Sequence, residues 1–196
     1  MKKIKNFREM IRSIILLILL IMITTITNAQ VKYSAKDDLN LLISGTSTLH
    51  DWDMKAAKGD CIALFTFNAS GDIIALTGLS VSVPAEALKS EHSGMDKNAY
   101  KALKTDKAPT ITFKLTSASI TSNNTIKCTG KLTIAGATRE AEIIATYKLN
   151  SDKSITVSGK KNISMKDFSM EPPTFMMGTI KTGNDIVLKF DLTLRK

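Results

Sequence analysis

The sequence predicts an all-β fold, an antiparallel barrel of about eight strands with one short helix. Three observations predict it. The first is period-two alternation over a long stretch. Ile126, Cys128, Gly130, Leu132 and Ile134 fall on one face, opposite Lys127, Thr129, Lys131 and Thr133; after Ala135-Gly136-Ala137, Ala141, Ile143, Ala145, Tyr147 and Leu149 share a face again. The second is that similar alternating runs recur along the chain with turn signals between them. The third is that a single segment breaks the pattern with helical spacing. A two-sheet sandwich gives the same alternation and stays open as the competing arrangement.

The Ile126–Leu149 stretch reads as a hairpin with one wet face, Gly136 supplying a positive φ at its turn. Its dry face holds many small residues: Cys128, Gly130, Ala141 and Ala145. A solid core usually takes larger side chains at such positions. The small ones leave room either for a ligand or for large residues from other strands.

The chain begins with a basic leader of Lys2, Lys3, Lys5, Arg8 and Arg12, an apolar run from Ile14 to Ile23, and Thr27-Asn28-Ala29 at a cleavable position. This is the pattern of a secretory signal peptide over residues 1–29, with a mature chain from Gln30. An uncleaved N-terminal anchor is the lesser alternative, since the apolar run is shorter than the ~20 residues that a spanning helix needs. No Cys lies near the cleavage position, which argues against a lipoprotein anchor. Residues 30–196 then form one domain. Leu39, Leu41 and Ile43 alternate, Gly45 to Leu49 is turn-like, and Asp51 to Ala57 suits a second strand. Cys61, Ala63, Phe65 and Phe67 share a face, Ser70-Gly71 marks a hairpin loop, and Ile73 to Val83 is a long strand ended by Pro84. Met95, Ala99, Ala102 and Leu103 have helical spacing, with Ser93-Gly94 or Asp96 as the cap. Pro109 stops that helix, and Ile111, Phe113 and Leu115 open the next strand. Ile155, Val157 and Gly159 share a face beyond the hairpin. Pro172-Pro173 excludes a central strand and makes Phe168–Gly178 a loop rich in flexible apolar side chains. Thr182-Gly183-Asn184 reads as a turn, and Ile186, Leu188, Phe190, Leu192 and Leu194 as the closing strand.

The whole chain carries a formal charge of +9; the leader's five bases and one acid, Glu9, account for +4, leaving +5 on residues 30–196. Lysines spread over outward strand positions do not make a nucleic-acid footprint, though they allow weak, transient contact with a membrane surface. Export places Cys61 and Cys128 in an oxidising compartment, where both a disulfide and two buried free thiols are open. The only histidines are His50 and His92, too few for a zinc site. No nucleophile elbow, phosphate loop or paired-carboxylate motif is present, and no cofactor is called for. Trp52 is either a core plug or one wall of a ligand site.

Three passages carry a family resemblance. Leu103-Lys104-Thr105-Asp106-Lys107-Ala108-Pro109-Thr110-Ile111-Thr112-Phe113 resembles the helix-to-strand passage of the YceI-like family. Thr129-Gly130-Lys131-Leu132-Thr133-Ile134-Ala135-Gly136-Ala137-Thr138-Arg139 resembles its central hairpin. Phe168-Ser169-Met170 through Gly178, with Lys181-Thr182-Gly183-Asn184-Asp185-Ile186, resembles its C-terminal passage. The opening Gly45-Thr46-Ser47-Thr48-Leu49-His50-Asp51-Trp52 resembles a secreted bacterial branch and departs from the commoner family form. The resemblance implies an elongated lipocalin-like barrel that is exported, to the periplasm or beyond, and binds a polyisoprenoid or another long-chain lipid without catalysis. On that reading the tunnel lining is Phe65, Phe67, Leu79, Phe113, Leu132, Ile143, Ala145, Tyr147, Phe168, Phe175, Met176 and Phe190. Two alternatives stand beside it: a hydrolase or isomerase using His50 and Asp51, and a packed domain that binds partners by its surface.

Overall fold

The computed structural model describes residues 30–121 and 123–196, together with Arg12. The signal-peptide reading of residues 1–29 therefore falls, Arg12 apart, outside the described residues. The strands are β1 (Gln30–Lys36), β2 (Leu39–Ser47), β3 (Trp52–Ala56), β4 (Asp60–Phe67), β5 (Ile73–Pro84), β6 (Thr110–Thr121), β7 (Thr125–Ile134), β8 (Ala137–Leu149), β9 (Ile155–Ser164), β10 (Thr174–Phe175) and β11 (Ile180–Leu194). One helix, α1 (Ser93–Leu103), lies between β5 and β6.

All the pairings are antiparallel, and the strands make one strongly curled sheet in the order β1-β4-β5-β6-β7-β8-β9-β11-β2-β3, with β10 paired to β11. One continuous sheet is the barrel arrangement, not the sandwich. One bridge ties each edge strand to another part of the chain: Ser34 of β1 pairs with Arg195 beyond β11, and Lys55 of β3 pairs with Lys89 between β5 and α1.

The β7–β8 hairpin keeps its predicted phase. Ile126, Cys128, Gly130, Leu132 and Ile134 are buried, as are Ala141 and Ala145 across the ladder, while Lys127, Lys131, Glu140 and Glu142 are exposed. Its turn places Ala135 at φ 51° and Gly136 at φ 80°, the paired left-handed geometry that matches strand twist in a two-residue hairpin. On the wet face Lys127 meets Glu142 at 2.8 Å, an exposed pair of small energetic weight.

Three details differ from the sequence expectation. Gln30–Lys36 is a strand of its own, pairing with β4 from Gln30↔Thr66 to Lys36↔Asp60. Gly45 to Ser47 continues β2 instead of turning. Thr182-Gly183-Asn184 lies inside β11, where the ladder to β2 shifts register between Thr182 and Ile186; the turn-like residues mark a bulge, not a chain reversal.

Candidate functional site: an apolar cavity

The small inward residues are explained in part by large neighbours. A Cβ on Gly130 would lie 2.5 Å from the Phe113 ring and 2.5 Å from the Lys114 carbonyl oxygen. A Cβ on Gly159 would lie 2.5 Å from the Phe190 ring. Each glycine therefore admits an aromatic ring flat against the sheet. These rings do not fill the interior. A cavity of about 530 Å³ remains, within the ~300–1,000 Å³ range of small-molecule sites.

Its walls come from the inward faces of β2 to β9 and β11, with side chains such as Leu41, Ile43, Val81, Ile126, Val157 and Leu188. Helix α1 closes part of it with Met95, Ala99, Ala102 and Leu103, the stripe expected from helical spacing. Three contacts pin this lid. The Asp96 carboxylate accepts from the Ser90 main-chain N–H and hydroxyl, both at 2.7 Å. The Tyr100 hydroxyl donates to the Leu88 and Glu86 carbonyls at 2.9 and 3.0 Å. Lys104, left-handed at the helix end, donates from Nζ to the Ser169 carbonyl at 2.9 Å. Asp96 does not cap the helix: the N-cap position is His92, with no side-chain cap bond, so the capping expected of Ser93-Gly94 or Asp96 is replaced by a clasp on Ser90. Burial pushes the Asp96 carboxyl up, but the two Ser90 bonds and Lys89 at 3.9 Å outweigh it and hold the group below its usual value.

The rim beside the lid is built from two loops. Thr48 N–H donates to the Lys181 carbonyl at 3.0 Å, and Lys181 N–H donates to Thr48 Oγ1 at 3.1 Å. Leu49, His50, Pro173 and Phe175 line the cavity from these loops. Met176, Met177 and Gly178 follow with φ of 48°, 53° and 89°, three left-handed residues in succession. Leu49, Met176 and Met177 stand largely in solvent, at 65%, 75% and 109% exposure.

Of the twelve residues expected to line a tunnel, Phe65, Leu79, Phe113, Leu132, Ile143, Ala145, Phe175 and Phe190 border the cavity. The structure sets the other four outside it. Phe67 lies at the end of β4 and packs on Tyr33, with ring centroids 6.0 Å apart. Tyr147 shares the inward phase of Ala145 but sits two residues nearer the end of β8, half-buried opposite Val157. Phe168 closes the short turn Met165–Phe168 and is buried beside β8 and β9 instead. Met176 points outward on the rim. Alternation fixes the face of a side chain, not its depth along the barrel, and loops obey no period.

Three residues that the sequence left undecided are now placed. Trp52 is a cavity wall: its ring lies over Gly45 and its indole N–H donates to the Thr46 carbonyl at 3.0 Å. Cys61 and Cys128 are free thiols in the cavity wall, pushed up by burial to about 12 and about 11, so neither is a ready thiolate. His50 Nδ1 lies 2.6 Å from the Asp51 main-chain carbonyl, so the contact between these neighbours does not involve the carboxylate. No group of three or more His, Cys, Asp or Glu is placed to hold a metal among the described residues. Sequence reasoning missed several wall residues, Leu41, Ile43 and Leu188 among them, and one of different chemistry, Lys161. It continues the inward phase of Ile155, Val157 and Gly159 and borders the cavity.

The cavity is lined almost wholly by apolar side chains. The chain's likeness to solved structures is one of fold. The crystal structure of Burkholderia cenocepacia BcnA aligns with a TM-score of 0.66 at 13% identity, covering 81% of this chain and 96% of that one. A polyisoprenoid binding domain from Saccharophagus degradans, implicated in plant cell wall breakdown, aligns with a TM-score of 0.62 at 10% identity, covering 85% and 99%. A Campylobacter jejuni YceI protein aligns with a TM-score of 0.55 at 22% identity, covering 69% and 81%. No curated protein matches the chain. The YceI-like domain family matches residues 42–194, from the middle of β2 to the end of β11, and the chain belongs to that family.

Proposed function

We propose that this domain is an exported, non-enzymatic binding protein for a polyisoprenoid or similar long-chain lipid, serving carriage, storage or sequestration. The observation that carries the reading is the cavity itself: about 530 Å³ bounded almost wholly by apolar side chains beneath a pinned helix. Moving a hydrocarbon chain from water into such a space gains ~0.8 kcal/mol per CH₂ as an upper guide. The shared fold of the Saccharophagus degradans polyisoprenoid binding domain supports the same ligand class. Leu49, Met176 and Met177 around the rim suit a transient touch on a bilayer, from which the chain would slide inward. The basic leader and apolar run of residues 1–29 support export, and intact-mass analysis of the exported product should give a chain beginning at Gln30.

The test is extraction combined with obstruction. Protein purified from its native host should release a long-chain lipid into organic solvent. Ala145→Phe places a ring in the cavity from mid-β8. Delipidated Ala145→Phe should unfold at the same denaturant concentration as the parent or slightly higher, and should lose most lipid binding. Clear destabilisation with unchanged binding per folded molecule would sink the proposal, because it would mean a filled interior at this position.

A further inference from the structure

Strand β9 turns Ile155, Val157, Gly159, Lys161 and Ile163 toward the interior. Four are apolar or lack a side chain; the fifth is a cation. Among the described residues that line the cavity, Lys161 alone carries a fixed charge. Its ammonium makes no salt bridge and no hydrogen bond among the described residues, in surroundings where an unpaired ammonium is costly unless it reaches water or a partner.

Lys161 stands where the wall loses its regular pairing. The β8–β9 ladder runs from Leu149↔Ile155 to Ile144↔Lys160 and stops, although both strands continue. Residues 139–143 of β8 and 161–164 of β9 therefore part from each other; the Met165–Phe168 turn packs beside both strands with Phe168 buried, and a cleft of about 590 Å³ lies among them. Leu132, Lys161 and Ile163 border both this cleft and the apolar cavity, so the two spaces share a wall. Arg139 and Lys166 flank the cleft beside Lys161; Glu140 and Asp167 also border it, leaving three cations against two anions. Arg139 Nη1 donates to the Thr138 carbonyl at 2.9 Å, and Lys166 has no side-chain hydrogen bond or ion pair among the described residues.

Resting on the lipid-binding reading above, we propose that the ligand has an anionic head, a phosphate, diphosphate or carboxylate, which leaves the cavity sideways into the β8–β9 cleft and binds Lys161 with Arg139 and Lys166 while the chain stays inside. Ammonium and guanidinium donors to such oxyanions make the stronger class of hydrogen bond.

Calorimetric titration of the delipidated mature protein with farnesyl diphosphate, farnesol and inorganic pyrophosphate tests this. Farnesyl diphosphate should bind at least about tenfold more tightly than farnesol, and pyrophosphate only weakly. Lys161→Met should remove that advantage while leaving farnesol unchanged, and Lys161→Arg should restore most of it. Arg139→Gln, on an exposed position, should weaken farnesyl diphosphate alone and guards against a folding defect at Lys161. Equal binding of farnesol and farnesyl diphosphate would overturn the head-group assignment but leave the lipid cavity standing. Pyrophosphate binding as tightly as farnesyl diphosphate would mean a free-phosphate site and overturn it too. Failure of both lipids to bind would sink the underlying reading as well.

Discussion

The two regions that differ most are the closure of the sheet and the cavity rim. At the closure β1, β4, β9 and β11 converge. Tyr33, Phe65, Ile155 and Leu194 are each 2% exposed or less, and Tyr33 meets Phe65 edge-on at 5.7 Å. At the rim Leu49, Met176 and Met177 stand in water, the two methionines on left-handed backbone. The same residue classes are spent in opposite ways. At the closure they hold the fold; at the rim they contribute little to it and expose the surface through which a chain would enter. Stability and function are thus separable by position, and substitutions should show it.

The largest effect should come from the closure. Ile155→Ala removes a fully buried side chain next to Leu194 and should cost about 2–5 kcal/mol in denaturant unfolding. A loss near zero would mean that the closure does not hold the barrel. Next comes the wall between the two regions. Gly130→Ala sets a methyl 2.5 Å from the Lys114 carbonyl, a main-chain atom that cannot swing aside, and should cost about 1–3 kcal/mol. The pair Gly130→Ala, Phe113→Leu should recover only part of this, since the carbonyl remains.

The lid lies between closure and rim in expected effect. Asp96→Asn keeps the shape but loses the charge that Ser90 donates to, and should cost roughly 1–2 kcal/mol, felt mostly as faster amide exchange in α1. The pH dependence has a definite sign. The Asp96 carboxyl is held below its ordinary value in the folded state, so its contribution is present above the unfolded-state value and is lost as pH falls through the folded one. Protection of the α1 amides, taken relative to intrinsic exchange at each pH, should therefore fall on acidification in the parent and stay level in Asp96→Asn. The smallest effect on folding belongs to the rim. Met177→Ser should shift stability by less than about 0.5 kcal/mol while reducing binding to neutral lipid vesicles. If stability fell as much as for Ile155→Ala, the contrast between the two regions would collapse.

Sequence made the faces legible and left the depths hidden. The inward set of β7 and β8 and the Met95, Ala99, Ala102, Leu103 stripe of α1 follow from periods of 2 and 3.6, which local geometry enforces. Phe67 and Tyr147 have the right phase but stand beyond the cavity, because depth depends on strand stagger around the curl. The Thr182–Asn184 bulge looks like a turn because both use glycine and asparagine. Lys161 was within reach of sequence: the phase of Ile155, Val157 and Gly159 continues onto it. What no pattern announces is the parted ladder that makes its position meaningful, since pairing between strands is a property of register.

The placement of Trp52 has an optical consequence. It is the chain's single tryptophan, it lines the cavity, and its indole is fixed by the Thr46 carbonyl. All tryptophan emission from the molecule thus originates beside the space where a hydrocarbon would lie. When an apolar chain displaces water from the indole face, the emission maximum should move to shorter wavelength, and brominated acyl chains should quench it in proportion to occupancy. Loading and release can then be followed in real time on the unlabelled protein.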